Sequence, residues 1–266
     1  MTAAPQPQHP ATGVWRTVGH GVQVLLADNP GPMTLDGTNS YLIRGEKRSV
    51  VVDPGPDDAA HLDTLAAAGP ALVLITHRHV DHTAGSPGLR ARTGAPVRAV
   101  DPEHCHGGDP LTDGETVDLG GRSVRVLATP GHTSDSVSFE IVDAAGDVEA
   151  VLTGDTILGR GTTVLAPPDG DLGDYLDSLD RLAAVGRVRV LPAHGPDLPD
   201  MVEAAAAYRA HREQRLDQIR AALAVLGPDA GVAEVTDHVY TDIDPSVRGA
   251  AEMSVRAQLD FLAARR

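Results

Sequence analysis

The sequence predicts an α/β chain of two sheets packed face to face, covered outside by helices and followed by a helical appendage. Three observations lead there. Short aliphatic or β-branched runs recur through residues 22–191, each ending in Gly, Pro or a polar residue. They fall into two strand-rich halves with helical stretches interspersed, which suits a layered sandwich. After residue 200 the pattern changes to long helical periodicity.

Taken in order, Val22–Ala27, Ser40–Arg44 and Ser49–Val52 read as strands. Asp57–Ala68 reads as a helix, with acids in its first turn and Gly69-Pro70 closing it. Ala71–Ile75 is a buried strand, His82–Arg92 a helix despite its glycines, and Ala95–Val100 a short strand. Glu115–Leu119, Arg122–Ala128, Ser136–Val142 and Val148–Leu152 are the strands of the second half, turned at Gly120-Gly121 and Ala145-Gly146-Asp147. Leu172–Ala184 is a helix and Arg187–Leu191 the last strand. Met201–Leu226, Gly231–Tyr240 and Pro245–Ala264 are the tail helices. The expected division is a catalytic domain at 1–199 and a helical segment at 200–266. Met1–Thr12, rich in Pro, Ala and Gln, reads as an unstructured leader, without the basic start and apolar core of a signal peptide.

The most informative run is Thr76-His77-Arg78-His79-Val80-Asp81-His82, directly after an apolar strand. Imidazole nitrogen and carboxylate oxygen are common ligands of divalent transition metals. Three more such residues sit at strand ends beside Gly or Pro: His132 in Thr129-Pro130-Gly131-His132-Thr133, Asp155 in Thr153-Gly154-Asp155, and His194 in Ala193-His194-Gly195. Five imidazoles and two carboxylates could meet at one sheet edge, enough to hold two metals.

These motifs, in this order, resemble the metallo-β-lactamase fold superfamily of binuclear hydrolases. The resemblance implies an αββα sandwich of two mixed sheets. It implies one metal on His77, His79 and His132, the other on Asp81, His82 and His194, and Asp155 bridging them. Zinc is the first expectation for so His-rich a set, with manganese or iron open because no thiolate discriminates among them. Two cations sharing a water lower its pKa from about 16 towards 7, which supplies a metal-bridging hydroxide at neutral pH. Asp81 is the expected catalytic residue, binding through one oxygen and orienting the nucleophile with the other.

Within the superfamily, Pro32–Leu42, Gly154–Val164 and Asp174–Leu179 are similar to the β-lactamase-like endoribonuclease group. The tail resembles that group's small winged-helix-like segment, departing at Gln258-Leu259. The resemblance therefore leans to phosphodiester hydrolysis of single-stranded RNA. The alternative is a thioester or acyl hydrolase, similar to hydroxyacylglutathione hydrolase or the acyl-carrier thioesterases of this fold. A non-catalytic metal-binding scaffold is the third reading.

Composition constrains these choices. The formal net charge of −15 disfavours nonspecific binding to polyanions. One cysteine, Cys105, forms no intrachain disulfide, which permits a reducing cytoplasm. No apolar stretch reaches the roughly 20 residues that span a bilayer. The expected partners are thus a small ester or thioester or single-stranded RNA, no membrane, and a second copy paired through the tail helices. Asp53 is expected to brace the ligand loop by hydrogen bonds, Thr76 and Thr133 to bond ligands or cap turns. Arg78 is expected in solvent or against an anionic substrate, the His211, Arg212 and Arg215 helix face in solvent or guiding phosphates, and Tyr175 and Ser178 in packing or capping. His9, His20, His61 and His238 carry no expected role, and the His104-Cys105-His106 run no metal.

Overall fold

The first sheet comprises β1 (Arg16–Gly19), β2 (Val22–Leu26), β3 (Asn39–Arg44), β4 (Ser49–Val52), β5 (Leu72–Leu74) and β6 (Val97–Arg98), side by side in chain order. The computed structural model describes residues 11–19, 21–242 and 244–265. β1 to β4 pair antiparallel, while β4, β5 and β6 pair parallel. Parallel neighbours need a crossover, and the helices α1 (Ala59–Ala67), α2 (Val80–Thr83) and α3 (Ser86–Thr93) provide it. The second sheet comprises β7 (Thr116–Asp118), β8 (Arg122–Ala128), β9 (Val137–Asp143), β10 (Val148–Gly154) and β11 (Arg189–Pro192), in spatial order β11-β10-β9-β8-β7. Only β10 and β11 pair parallel, with α4 (Leu172–Ala184) crossing between them. Both sheets are therefore mixed.

Strand alternation explains the four layers. Successive side chains point to opposite faces. On β3 to β5, Tyr41, Ile43, Val50, Val52 and Leu74 enter the core between the sheets, where they meet Val126, Phe139, Ile141, Leu152 and Leu191. The intervening Leu42, Val51 and Val73 point outward and pack beneath Leu62 and Leu65 of α1 and Leu89 of α3. On the other side, Val151 and Val190 pack beneath Leu179 and Leu182 of α4. The αββα sandwich follows from strands buried on both faces.

The tail is α5 (Met201–Leu226), α6 (Val232–Val239) and α7 (Arg248–Ala263), with no strand among the described residues after 200. Met201, Ala205, Tyr208 and Leu216 of α5 share one core with α4, β10 and β11. A smaller cluster of Ile219, Ala222, Val235 and Val255 joins the three tail helices. No helix among the described residues is long and apolar enough to cross a membrane.

Several elements differ from expectation. The helix expected over 82–92 is two, because Gly85 lies against the Pro54 and Gly55 carbonyls, where a Cβ would come within 3.0 Å. The strand expected over 95–100 shortens to Val97–Arg98, its flanks bonding to loop residues instead. β1 carries too short a run to show periodicity. The expected leader Met1–Thr12 lies outside the described residues except for Ala11 and Thr12, and Thr12 bridges Leu26. His9 and His20 lie outside them too.

His61 has a clear place. It is only 5% exposed on α1, and its Nε2 lies 2.9 Å from Ser40 Oγ, tying the helix to β3. Burial pushes its pKa down to about 4, partly opposed by Asp58. The folded chain thus holds His61 neutral where the unfolded chain, titrating near 6.5, is protonated. That stability is present above pH 6.5 and is lost as pH falls towards 4. Urea unfolding at pH 7 and pH 4.5 is expected to show His61→Gln losing about 2 kcal/mol less than the parent between the two pH values. Identical losses in both proteins would remove His61 from the acid response.

Candidate metal centre

All seven polar residues singled out at strand ends arrive at one edge of the sandwich. His77 follows β5, His79 caps α2, which carries Asp81 and His82, and His132, Asp155 and His194 follow β8, β10 and β11. The loops are stitched together across the two sheets. Val137 N–H donates to Thr76 O (2.9 Å), Ala193 N–H to Gly154 O (3.1 Å) and Asn39 N–H to Ala193 O (2.8 Å). Gly154 is required there. Its φ is +50°, and a Cβ would stand 2.8 Å from that of Thr76.

The side chains form two groups, each with its donor atoms within 4.8 Å of one another: His77, His79, His132 and Asp155; and Asp81, His82 and His194. In the first, His79 Nδ1 lies 3.0 Å from both His77 Nε2 and His132 Nε2. In the second, Asp81 Oδ2 lies 3.4 Å from His82 Nε2 and 3.1 Å from His194 Nε2. Asp155 stands between them. Its Oδ2 faces His77 and His132 at 4.0 and 3.7 Å, and its Oδ1 faces His82 and His194 at 3.7 and 3.4 Å.

The outward nitrogens decide what the inward ones present. His132 Nδ1 meets the Val164 carbonyl at 2.8 Å and His194 Nδ1 the Gly37 carbonyl at 3.0 Å. A carbonyl only accepts, so both Nδ1 atoms carry the proton. His82 Nδ1 donates to Asp53 Oδ2 at 2.9 Å. Thr76 Oγ1 spends its proton on Asp53 Oδ2, so it accepts from His77 Nδ1 at 3.0 Å. Four Nε2 lone pairs therefore converge on the cluster. His82 Nε2, His194 Nε2 and Asp155 Oδ1 are buried with no hydrogen-bond partner. Such convergence of unpaired acceptors is costly unless positive charge sits among them. The residues thus fit a pair of divalent cations, by donor type as well as by grouping.

The two groups differ electrostatically. Burial, reinforced by neighbouring imidazoles, holds His77 well below its ordinary pKa, and burial with His132 lowers His79. Both remain neutral, as ligation requires. Burial also opposes charge on His82 and His194, but carboxylates outweigh it: Asp53, Asp81 and Asp155 for His82, and Asp155 and Asp81 for His194. Both imidazoles are raised. Burial likewise opposes ionisation of Asp81, yet His82 and His194 hold its carboxyl far below the usual range. The second group is a strong attractor of positive charge.

Asp53 braces the site as expected. It accepts from Thr76 N–H (2.8 Å), Thr76 Oγ1 (2.7 Å) and His82 Nδ1, and adopts φ +51° to do so. Thr133 closes a turn with Asp135 and Ser136, both at 2.7 Å. Ser178 Oγ braces the ligand turn through Pro130 O (2.7 Å). Arg78 is not a solvated side chain: it donates to Asp135 (3.0 Å) and Ser134 (2.9 Å), with Asp101 and Asp169 each at 3.8 Å. Arg212, expected on a solvated face, is 3% exposed. Cys105 packs against Ala99, and neither flanking histidine joins a ligand group among the described residues.

Two residues that the sequence did not assign roles hold the His194 loop. Asn39 Nδ2 donates to Pro192 O (3.0 Å) and Gly195 O (2.9 Å), and Tyr41 OH to Pro192 O (2.8 Å). Gly37 lies close enough to Ala27 that a Cβ would meet its carbonyl at 2.2 Å. Asn39 lies in a recognisable segment, but its partners are over 150 positions away.

An αββα sandwich with two His/Asp groups at one edge defines a metal-binding class of protein. Residues 33–194 match the model of the metallo-beta-lactamase superfamily. "Lactamase-like protein vrtG" of Penicillium aethiopicum is 36% identical over 75% of this chain, which spans 65% of that protein's length. "Beta-lactamase-like protein 2 homolog" of Caenorhabditis elegans is 32% identical over 90% of this chain and 82% of its own. A solved beta-lactamase domain protein from Burkholderia ambifaria shares the fold, with a TM-score of 0.78 at 22% identity, over 97% of this chain and 90% of its own. The chain belongs to the metallo-beta-lactamase superfamily. Family, fold and ligand groups together support a metal-dependent hydrolase.

Asp53→Asn tests the bracing role, because asparagine tolerates positive φ while losing an acceptor. Cation affinity, read by competition with a chromophoric chelator, is expected to fall about 10- to 100-fold with the fold retained. Unchanged affinity would show that His82 needs no such partner.

Proposed function

We propose that this chain hydrolyses esters or thioesters of small apolar acyl groups at a site holding two divalent cations. His77, His79 and His132 hold one, Asp81, His82 and His194 the other, and Asp155 serves both. Zinc is the first candidate, from the imidazole-rich, thiolate-free donor set. Bound there, the ions would supply Lewis-acid activation of water and of the scissile carbonyl. Asp81 faces its imidazoles through Oδ2. Its second oxygen is available to orient the attacking water by accepting a hydrogen bond from it. Asp81, whose carboxyl lies far below the usual range, is ionised at neutral pH and can accept that hydrogen bond.

The carrying observation is the pocket beside the centre. A cavity of about 170 Å³ touches His132 and Asp155 and is walled by Pro32, Met33, Leu35, Leu158 and Val164 together with Arg160, Thr162 and Thr163. Its size and its apolar residues suit a short acyl group. Arg160, the arginine at its rim, is paired with Asp36. Arg78, on the ligand loop, is held by aspartates.

Single-stranded RNA is the second reading, supported by likeness of the 37–39 and 161–163 segments to endoribonucleases and of the tail to their winged-helix-like segment. Those two loop segments are engaged with the chain itself. Asn29 bonds Thr38, Asn39 bonds the His194 loop, and Thr163 bonds the Asp155 carbonyl. Site construction accounts for them, so they favour neither substrate. The net charge of −15 favours the acyl reading.

Zinc-reconstituted protein is expected to release free thiol from a panel of short acyl thioesters, and exhaustive chelation to abolish it. Asp81→Asn should lower kcat by about 10²-fold or more while losing little metal by elemental analysis. Equal losses of metal and turnover would make Asp81 a ligand only. Cleavage of unstructured RNA with every thioester intact would replace the acyl reading by the nuclease one.

A further inference from the structure

Arg212 is a buried cation. It is 3% exposed on α5, and its recorded contacts among the described residues are a carbonyl and an aromatic ring. Its guanidinium carbon sits 4.9 Å from the Tyr175 ring centroid, its Nη2 donates to the Thr163 carbonyl, and its Nε has no partner. Burying an arginine on a carbonyl and an aromatic face is expensive compared with an aliphatic side chain. Something must depend on what it holds.

What it holds is the segment that opens with Asp155 and closes on His132. Thr163 Oγ1 donates back to the Asp155 carbonyl at 2.6 Å, and the next carbonyl, of Val164, accepts His132 Nδ1 at 2.8 Å. Tyr175, stacked beneath Arg212, donates to Thr156 O at 2.6 Å. Four positions earlier on α5, Tyr208 brackets Leu158, its hydroxyl 2.8 Å from the amide and 3.0 Å from the carbonyl. Residues four apart share a helix face. One face of α5 thus grips the 155–164 segment at two points.

We propose that Arg212 is a positioning residue of the metal centre: by fixing the Thr163 carbonyl, it orients the Val164 carbonyl that sets His132 and the threonine hydroxyl that sets Asp155. The tail helix thereby becomes part of the support of the first ligand group. This rests on the two-cation reading above.

The test is cation affinity and ligand-field spectrum. Cobalt(II) replaces the native ion, and its visible bands report the ligand geometry independently of turnover. Arg212→Met keeps much of the side-chain volume and removes the charge and donors. It is expected to weaken cobalt binding about 10- to 100-fold and to shift the bands. Arg212→Lys, which can still donate to the Thr163 carbonyl, is expected to recover most of that loss. Thr163→Val removes the hydroxyl on Asp155 and should move affinity in the same direction, which keeps the question decidable should Arg212→Met not fold. Wild-type affinity and spectrum in folded Arg212→Met, or in Thr163→Val should the former not fold, overturn the inference alone. A wild-type chain that binds no cobalt overturns the two-cation reading with it.

Discussion

Four imidazoles turn a lone pair inward because each has its other nitrogen committed to an acceptor outside the cluster. Everything else at this edge serves that arrangement. The acceptors come from separate places: Asp53 after β4, Thr76 after β5, Gly37 before β3 and Val164 in the loop beyond β10. The first sheet supplies three of them and the second-sheet loop one. Neither sheet alone could orient the set. The packed core between them, with Tyr41, Phe139 and Leu152 fully enclosed, fixes the distance across which these bonds must reach.

The two ligand groups are built to different electrostatic specifications. The first has three imidazoles and one edge of Asp155, with His77 and His79 held neutral. The second has two imidazoles, Asp81 and the other edge of Asp155, with Asp53 behind it. Carboxylates favour a proton on His82 and His194, whereas burial disfavours one on His77 and His79. The shared carboxylate couples them: charge placed in one group changes the field at the other across a few ångströms of buried space. Within the second group, Asp81 faces both imidazoles through Oδ2 alone.

The candidate ligands were legible because most stand at or just beyond the end of an apolar run, and a strand end is a fixed address even when its partners are unknown. The strands of the second half, α4 and α5 were also legible, since long periodic runs leave little choice of period. The supports were legible in part: Asp53 was expected to brace the ligand loop, but which histidine it serves was not, and Gly37 lies 157 positions from His194 with nothing local to announce the pairing. Short elements failed for a related reason. Four-residue β1 has too few alternations to read, and the break between α2 and α3 comes from the Pro54-Gly55 turn pressing on Gly85. Arg212 was placed in solvent because arginine usually is; its burial depends on a loop 49 positions earlier. The Gly37-Thr38-Asn39 likeness was read toward a substrate, whereas these residues build the His194 turn.

That last point bears on how substrate choice can vary in this architecture. The pocket wall and the ligand support are the same stretch of chain: Leu158 to Val164 lines the cavity on one side and carries the Thr163 and Val164 carbonyls on the other. α5 holds that stretch from behind, through a core it shares with β10 and β11. A change in the tail that shifts the wall to admit a different substrate would therefore also tilt His132. Residues free to vary without that penalty are those on the opposite wall, Pro32, Met33 and Leu35. They lie ahead of the glycine clamp at Gly37 and make no ligand-orienting bond. Met33, 54% exposed at the pocket mouth, is the side chain through which specificity can move while the centre stays in place.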